Sequence, residues 1–97
     1  MPVSFSPEAL AEAEDAAYWY RAQGGNAASE SFTQEVERVA RLAGLHPELG
    51  GPGAHSTRRL YLKRFPYTLI FRIQSDTVRI IAVAHQRRRP GYWAGRQ

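Results

Sequence analysis

The sequence of 97 residues has no cysteine, no long apolar run and almost no acid in its second half. Without cysteine it can form neither a disulfide framework nor a thiolate metal site, and His46, His55 and His85 lack metal-ligand spacing. We therefore expect no metal and no cofactor. No apolar stretch approaches the roughly 18 residues that a membrane span needs, so we expect no membrane association.

The missing cysteines also suit a reducing compartment. Residues 1–8 lack the basic region and the apolar stretch of a secretory signal. We expect a soluble, cytoplasmic protein that is not exported. A chain of this length has room for one modest hydrophobic core, so residues 1–97 are predicted to form a single domain.

Charge is distributed unevenly along the chain. Residues 1–54 hold eight acids and three bases, whereas from position 55 onward ten bases are opposed by Asp76 alone. The formal net charge of +4 therefore hides a strongly basic C-terminal half. Such an asymmetry indicates an anionic partner at the basic end, and the plain alternative is a solvated basic surface.

The densest charge is the run Arg87-Arg88-Arg89, which stands between His85 and the pair Tyr92-Trp93. Cations beside aromatic rings suit the binding of a polyanion or an acidic partner. His85 has an ordinary pKa near 6.5 and could act as a general base, or it could hydrogen-bond a nearby backbone group. Tyr92 and Trp93 could stack on a base, or they could fold the tail back over the core.

The first half of the chain predicts two helices. Ser6-Pro7-Glu8 combines a capping hydroxyl, a proline suited to the first helical position and an acid favoured by the helix dipole. One helix is predicted from Pro7 to about Gln23 and a second from about Ala27 to near Gly44, separated by Gly24-Gly25-Asn26. The short glycine turn predicts an antiparallel helical hairpin.

The second half predicts strands. Residues 47–54 are rich in glycine and proline and are predicted to be a loop. Strands follow from Arg58 to Arg64, Tyr67 to Ile73 and Thr77 to His85, and Val3 to Phe5 could add an outer strand. The fold class is therefore α+β, with a helical hairpin packed on a small, mainly antiparallel, twisted sheet.

Alternation along the strands assigns residues to the two faces of the sheet. Tyr67, Leu69, Phe71 and Ile73 are predicted to face the helices. In the last strand the two predicted faces are Val78, Ile80, Ala82 and Ala84 on one side, and Arg79, Ile81, Val83 and His85 on the other. The face away from the helices would then form a cationic groove lined by Arg59, Tyr61, Lys63, Arg72, Arg79 and His85, with Arg87, Arg88 and Arg89 at its rim. Part of that face is apolar and could be covered, because Ile70, Ile81 and Val83 are predicted to lie on it.

The order of these elements resembles the RelE/ParE superfamily of bacterial toxins. Four phrases carry the resemblance over nearly the whole chain: Ala17-Tyr18-Trp19-Tyr20, His46-Pro47-Glu48-Leu49-Gly50, Arg64-Phe65-Pro66-Tyr67 and Ala82-Val83-Ala84-His85-Gln86-Arg87-Arg88. It implies the toxin of a type II toxin-antitoxin pair, of the kind known from plasmid stabilisation, inhibited by a cognate antitoxin. It also implies that the pair controls its own transcription through the antitoxin.

Members of this superfamily fall into two branches that act on different targets. RelE-like members cut messenger RNA on the ribosome without metal, and ParE-like members poison DNA gyrase. Metal-free cleavage needs a base, an acid and cations around the developing phosphorane charge. By resemblance, the catalytic candidates are Arg87, Lys63, His85 and Tyr92, with Arg59 as a further cation. Thr68 stands where the nuclease branch usually has arginine. This departure, the acidic helices and the phrase His85-Gln86-Arg87 place the chain closer to the ParE branch.

The interaction hypothesis assigns two sets of residues. The residues predicted to bind the target are Arg59, Lys63, Arg72, Arg79, His85, Arg87, Arg88, Arg89, Tyr92 and Trp93. Tyr18 and Trp19 are predicted to contact the antitoxin, because exposed aromatic side chains mark interfaces. The alternatives are a ribosome-dependent messenger RNA endoribonuclease and a non-toxic module that binds nucleic acid by charge.

Overall fold

A five-stranded sheet and one broken helix form the two layers of the fold in a computed structural model, which describes residues 1–97. The strands are β1 (Val3–Phe5), β2 (Gly51–Pro52), β3 (Arg58–Tyr61), β4 (Tyr67–Gln74) and β5 (Thr77–His85), and the helix is α1 (Pro7–Leu45). The order across the sheet is β1-β5-β4-β3-β2. β1 runs parallel to β5 and the other neighbours are antiparallel. The predicted α+β class is confirmed.

Ser6 is the single residue between β1 and α1. Its Oγ accepts a hydrogen bond from the Ala9 N–H at 3.0 Å, and its own N–H donates to the Ile80 carbonyl oxygen at 2.8 Å. The predicted cap is therefore confirmed, and the same residue ties the start of α1 to β5.

Gly25 divides α1 into two arms, residues 7–24 and residues 26–45. Its backbone, with φ 83° and ψ −176°, lies in a region that only glycine adopts readily. A straight helix of 39 residues would span about 58 Å, more than the longest extent of the molecule, 39 Å. The rings of Tyr20 and Phe32, one on each arm, stack with 5.1 Å between their centroids. The predicted helical hairpin is therefore present, with its turn at Gly25.

The main core fills the space between the two arms and the sheet. Its members include Ala9, Ala16, Phe32, Val36, Val39, Ala43, Leu69, Phe71, Val78, Ile80 and Val83. Leu69 and Phe71 face the helices as predicted and are fully buried. Ile73, predicted to join them, lies 41% exposed near the end of β4.

A β-bulge in β5 changes which residues share a face. Phe71 pairs with Ile80, but its neighbour Ile70 pairs with Ala82, so Ile81 is an extra residue in β5. The strict alternation predicted for β5 is therefore wrong beyond Ile80. Val83 lies in the main core, whereas Ala82 joins a second cluster on the opposite face with Ile70, Ile81, Ala84 and Trp93.

The bulge also moves His85 away from the predicted cationic face. The His85 ring packs edge-on against the Tyr67 ring, with 5.0 Å between centroids, at the boundary between the two faces. The predicted loop at residues 47–54 needs a smaller correction, because Gly51–Pro52 forms β2 and pairs with β3. β3 itself ends at Tyr61, before the predicted end at Arg64.

We predict that Gly25→Ala destabilises the fold by about 1–3 kcal/mol, because any side chain there must hold a glycine conformation. An added Cβ would meet no atom within 4 Å, so the cost is conformational and not steric. Gly51→Ala is the matched control, since it also meets open space but has no positive φ. Its effect should stay within about 1 kcal/mol. Equal urea-unfolding midpoints for the two variants would contradict the prediction.

Candidate interaction surface

The C-terminal tail, residues 92–97, covers the outer face of the sheet. The Trp93 side chain is only 9% exposed and packs in the second cluster against Ile70 and Ile81, beside the small side chains Ala82 and Ala84. Trp93 therefore helps to close the fold, and the prediction that it binds a target is not supported by its position. Of the two alternatives for the tail, folding back over the sheet is the one observed.

Two arginines predicted to bind the target instead hold this tail. The Arg72 guanidinium donates to the carbonyl oxygens of Arg96 at 2.6 Å and His55 at 3.0 Å. The Arg79 guanidinium donates to the Gln97 carbonyl oxygen at 3.3 Å and to Ser4 Oγ at 3.1 Å. Because these donors are already engaged, Arg72 and Arg79 do not form the free cationic groove that alternation predicted.

Glu12 joins α1 to the tail and to β5. Its carboxylate accepts from the Tyr92 hydroxyl at 2.5 Å, from the Arg96 guanidinium at 2.8 and 3.2 Å, and from the Val83 N–H at 3.0 Å. Burial, and then the hydrogen bond to the Glu12 carboxylate, raise the pKa of Tyr92 strongly. The hydroxyl therefore stays protonated as a donor through the whole physiological range.

The arginine loop, residues 86–91, carries Arg87, Arg88 and Arg89 into solvent between β5 and the tail. It is closed by hydrogen bonds from the Arg88 N–H to the His85 carbonyl oxygen at 3.0 Å and from the Gln86 N–H to the Pro66 carbonyl oxygen at 2.8 Å. The Arg88 guanidinium carbon lies 3.9 Å from the centroid of the Tyr92 ring, a close cation–π contact. Arg88 is therefore held against a fixed ring.

A first groove, of about 440 Å³, lies between the first arm of α1 and the ends of β4 and β5. Its lining residues are Glu12, Asp15, Ala16, Trp19, Tyr20, Pro66, Tyr67, Val83, His85, Arg88 and Tyr92. Trp19 is 54% exposed and lines it, whereas Tyr18, 67% exposed, lies on the same arm outside it. Of the two residues predicted to contact an antitoxin, both are accessible and one belongs to a groove.

A second groove, of about 250 Å³, lies on the other side of the arginine loop. Arg59 and Tyr61 of β3 line it together with Thr68, Ile70 and residues 84–86 and 88–93. Arg59 is exposed, so it, Arg88 and Arg89 bring three cations to one groove. Of the residues predicted to line a cationic groove, Lys63, Arg72 and Arg79 are not part of it. His85, Arg88 and Tyr92 line both grooves.

Lys63 lies away from this surface. Its backbone N–H donates to Glu35 Oε2 at 2.6 Å, which places it against the second arm of α1, and it lines neither groove. Glu35 also accepts from Arg38 at 2.7 and 2.8 Å; the bond to Arg38 most of all lowers the Glu35 pKa. Among the catalytic candidates, the structure brings together His85, Arg87 and Tyr92 but not Lys63, and the Arg87 N–H donates to His85 Nδ1 at 3.0 Å.

Sequence reasoning missed Glu12 and Arg96. Glu12 lies off the apolar stripe of the first helix and resembles any solvated acid, yet its side chain is only 17% exposed. Arg96 stands near the end of the chain, where no strand or helix was predicted. The only available signal is that Glu12 lies one helical turn after Glu8 on a face that a basic tail could reach.

No helix combines the length and apolar character needed to cross a bilayer. No three His, Cys, Asp or Glu side chains cluster as metal ligands would.

The fold and the loop define a small α+β protein with an exposed cationic surface. Residues 3–90 match the family model of the ParE toxin of the type II toxin-antitoxin system, parDE, and the chain belongs to this family. The prediction of a ParE-type toxin is therefore confirmed. The match ends at residue 90, so the whole of the anchored tail, residues 92–97, lies outside it.

A solved structure has the same fold. A chain of the structure titled "Chromosomal ParDE TA system from P. aeruginosa" is 17% identical, with a TM-score of 0.78; the match covers 88% of this chain and 95% of that one. No curated protein matches the chain.

We predict that the folded chain loses stability as the pH rises above about 10, the ordinary pKa of tyrosine. Burial is the main cause that raises the pKa of Tyr20, Tyr67 and Tyr92. The folded state therefore holds these three protons more tightly than the unfolded chain. Their contribution is fully present below the unfolded pKa and is lost as the pH rises toward the folded values. Phenolate absorbance should show delayed ionisation in the folded chain, and Tyr92→Phe should remove part of the delay. A single step centred near about pH 10 would contradict this.

Proposed function

We propose that this chain arrests bacterial growth by binding DNA gyrase and inhibiting it, and that a cognate antitoxin neutralises it. Membership of the ParE toxin family supports the class of activity. The observation that most supports the proposed binding site is the arginine loop, where three exposed cations project beside a groove with aromatic walls. Gyrase with its DNA offers acidic and nucleic-acid surfaces, and such charges steer association with a basic site.

Arg87 and Arg89 are the best candidates for direct contact with the target. Neither side chain makes a hydrogen bond or a salt bridge within the chain, so both are available to a partner. Arg88 lies against Tyr92 and contributes a cation held in one place. Arg59 extends the same charge across the second groove.

The first groove suits the antitoxin. Its wall presents Trp19 and Tyr67, and its rim carries Arg88. An acidic, partly disordered antitoxin segment that folds on binding would place an apolar side chain beside Trp19 and its acids toward the arginine loop. Such a segment would also obstruct the loop, because Arg88, His85 and Tyr92 belong to both grooves.

The ribonuclease hypothesis has less support in this geometry. The Tyr92 hydroxyl donates to Glu12, and Lys63 lies beside the second arm of α1. Thr68, which stands where that branch usually has arginine, is 8% exposed. Primer extension on translated messages during growth arrest separates the two activities, since intact messages exclude cleavage.

We predict that the double variant Arg87→Ala, Arg89→Ala inhibits gyrase supercoiling at least about tenfold more weakly than the native chain, a loss of roughly 1.4 kcal/mol. The physical reason is the removal of two exposed cations without disturbance of the fold. The matched control is Arg21→Ala, Arg41→Ala, which removes two exposed arginines from α1. It should retain native inhibition. Normal supercoiling at saturating native chain would refute the gyrase target.

We predict that Trp19→Ala weakens binding of the antitoxin encoded beside this chain by roughly 30-fold, the effect of losing a large aromatic anchor. Stability should change little, because Trp19 is 54% exposed. Leu45→Ala, at an apolar residue that is 72% exposed and outside both grooves, serves as the control. Isothermal titration calorimetry measures the affinity of both variants for the antitoxin. Equal affinities would show that the antitoxin binds elsewhere.

A further inference from the structure

The strand β5 continues beyond its parallel neighbour and leaves part of its backbone without a strand partner. β1 pairs only with Val78, Arg79 and Ile80. Past that point, the Ile81 carbonyl oxygen accepts from the Arg96 guanidinium at 3.1 Å and from the Ser6 hydroxyl at 3.5 Å, and the Val83 N–H donates to Glu12 Oε1 at 3.0 Å. Three side chains, two of them from the helix and the tail, therefore take the place of a neighbouring strand.

The Glu12 carboxylate is fully used by these contacts. It accepts four hydrogen bonds, from one backbone N–H, one hydroxyl and two guanidinium nitrogens. A carboxylate has about four acceptor positions, so none is left for a partner molecule. The role of Glu12 is therefore internal to the chain.

The contacts of Glu12 lead directly to the arginine loop. Glu12 fixes the Tyr92 hydroxyl, and the Tyr92 ring carries the guanidinium groups of Arg88 at 3.9 Å and Arg96 at 5.0 Å. Trp93 also anchors the tail, but burial in an apolar cluster does not fix the orientation of the neighbouring side chains, because the hydrophobic effect is non-directional. The hydrogen bonds from Tyr92 and Arg96 to Glu12 do fix the orientation of these two side chains, because each bond requires a defined donor angle.

We infer that Glu12 is a positioning residue that holds the arginine loop in its binding geometry through Tyr92 and Arg96. The inference rests on the proposed function in one respect, namely that the loop binds gyrase. Removal of the Glu12 charge frees the Tyr92 ring, and Arg88 then loses its fixed place. The three arginines remain in the chain but must be ordered at the moment of binding, which weakens the complex.

The test compares Glu12→Gln with Glu14→Gln, which makes the same charge change at an exposed acid on the same arm. Tyr92→Phe is the second variant, since it keeps the ring and removes only the hydroxyl. Three properties are measured: inhibition of gyrase supercoiling per folded molecule, the rate of tryptic cleavage within Arg87-Arg88-Arg89, and acrylamide quenching of Trp93 in a Trp19→Phe background.

Glu12→Gln and Tyr92→Phe should each weaken inhibition about tenfold, the factor for loss of one charge-assisted hydrogen bond. Cleavage in the loop should accelerate by a similar factor, and quenching of Trp93 should increase. Glu14→Gln should match the native chain in all three properties. A merely structural role of Glu12 would lower the unfolding midpoint and leave inhibition per folded molecule unchanged.

The outcomes separate this inference from the proposed target. If the native chain fails to inhibit gyrase, the target is wrong, while tryptic cleavage and quenching still show whether Glu12 holds the loop. Native cleavage and quenching in both variants would overturn the inference. So would native inhibition by a variant whose loop has become mobile. If Glu12→Gln does not fold, Tyr92→Phe decides alone.

Discussion

The backbone of β5 beyond Ile80 imposes the constraint on which the rest of the structure depends, because buried N–H and C=O groups must find partners. β1 cannot supply them. It ends at Phe5, and the next residue, Ser6, donates its N–H to the Ile80 carbonyl oxygen and caps α1 with its hydroxyl. The chain leaves the sheet at that point, and Glu12, on the second turn of the helix, returns to meet the Val83 N–H. A helix start and a sheet edge are thus parts of one arrangement.

The bulge at Ile81 decides what lies on each side of this edge. One extra residue turns Val83 into the main core and turns Ala82 and Ala84 outward. Two alanines leave space on the outer face, and Trp93 fills it. The same shift brings His85 to the boundary, where it lines both grooves. A single inserted residue thus sets which side chains of residues 82–85 face the main core and which face the tail.

Local rules explain which features could be predicted from the sequence. The helix cap at Ser6, the break at Gly25 and the strands β3 to β5 each depend on neighbouring residues, so a short window suffices. The bulge does not, because Ile80-Ile81-Ala82 is apolar throughout and no residue marks where alternation stops. The partners of Arg72 are backbone carbonyl oxygens far along the chain, and these have no signature in sequence. Alternation therefore placed Arg72 and Arg79 on the correct face but could not show that a tail occupies it.

The contacts of the arginines show why the number of charges in the sequence overestimates the number of cations available to a partner. Arg72, Arg79 and Arg96 donate to carbonyl oxygens within the chain, and Arg96 also neutralises Glu12. Their charge contributes to the electrostatic field around the protein, but their N–H donors are not available to a partner. Arg87 and Arg89 make no such contacts, and Arg88 is held by a ring and not by an acid. The same residue type therefore both anchors the C-terminal tail and forms the exposed cationic surface, and the difference is whether the guanidinium contacts or belongs to that tail.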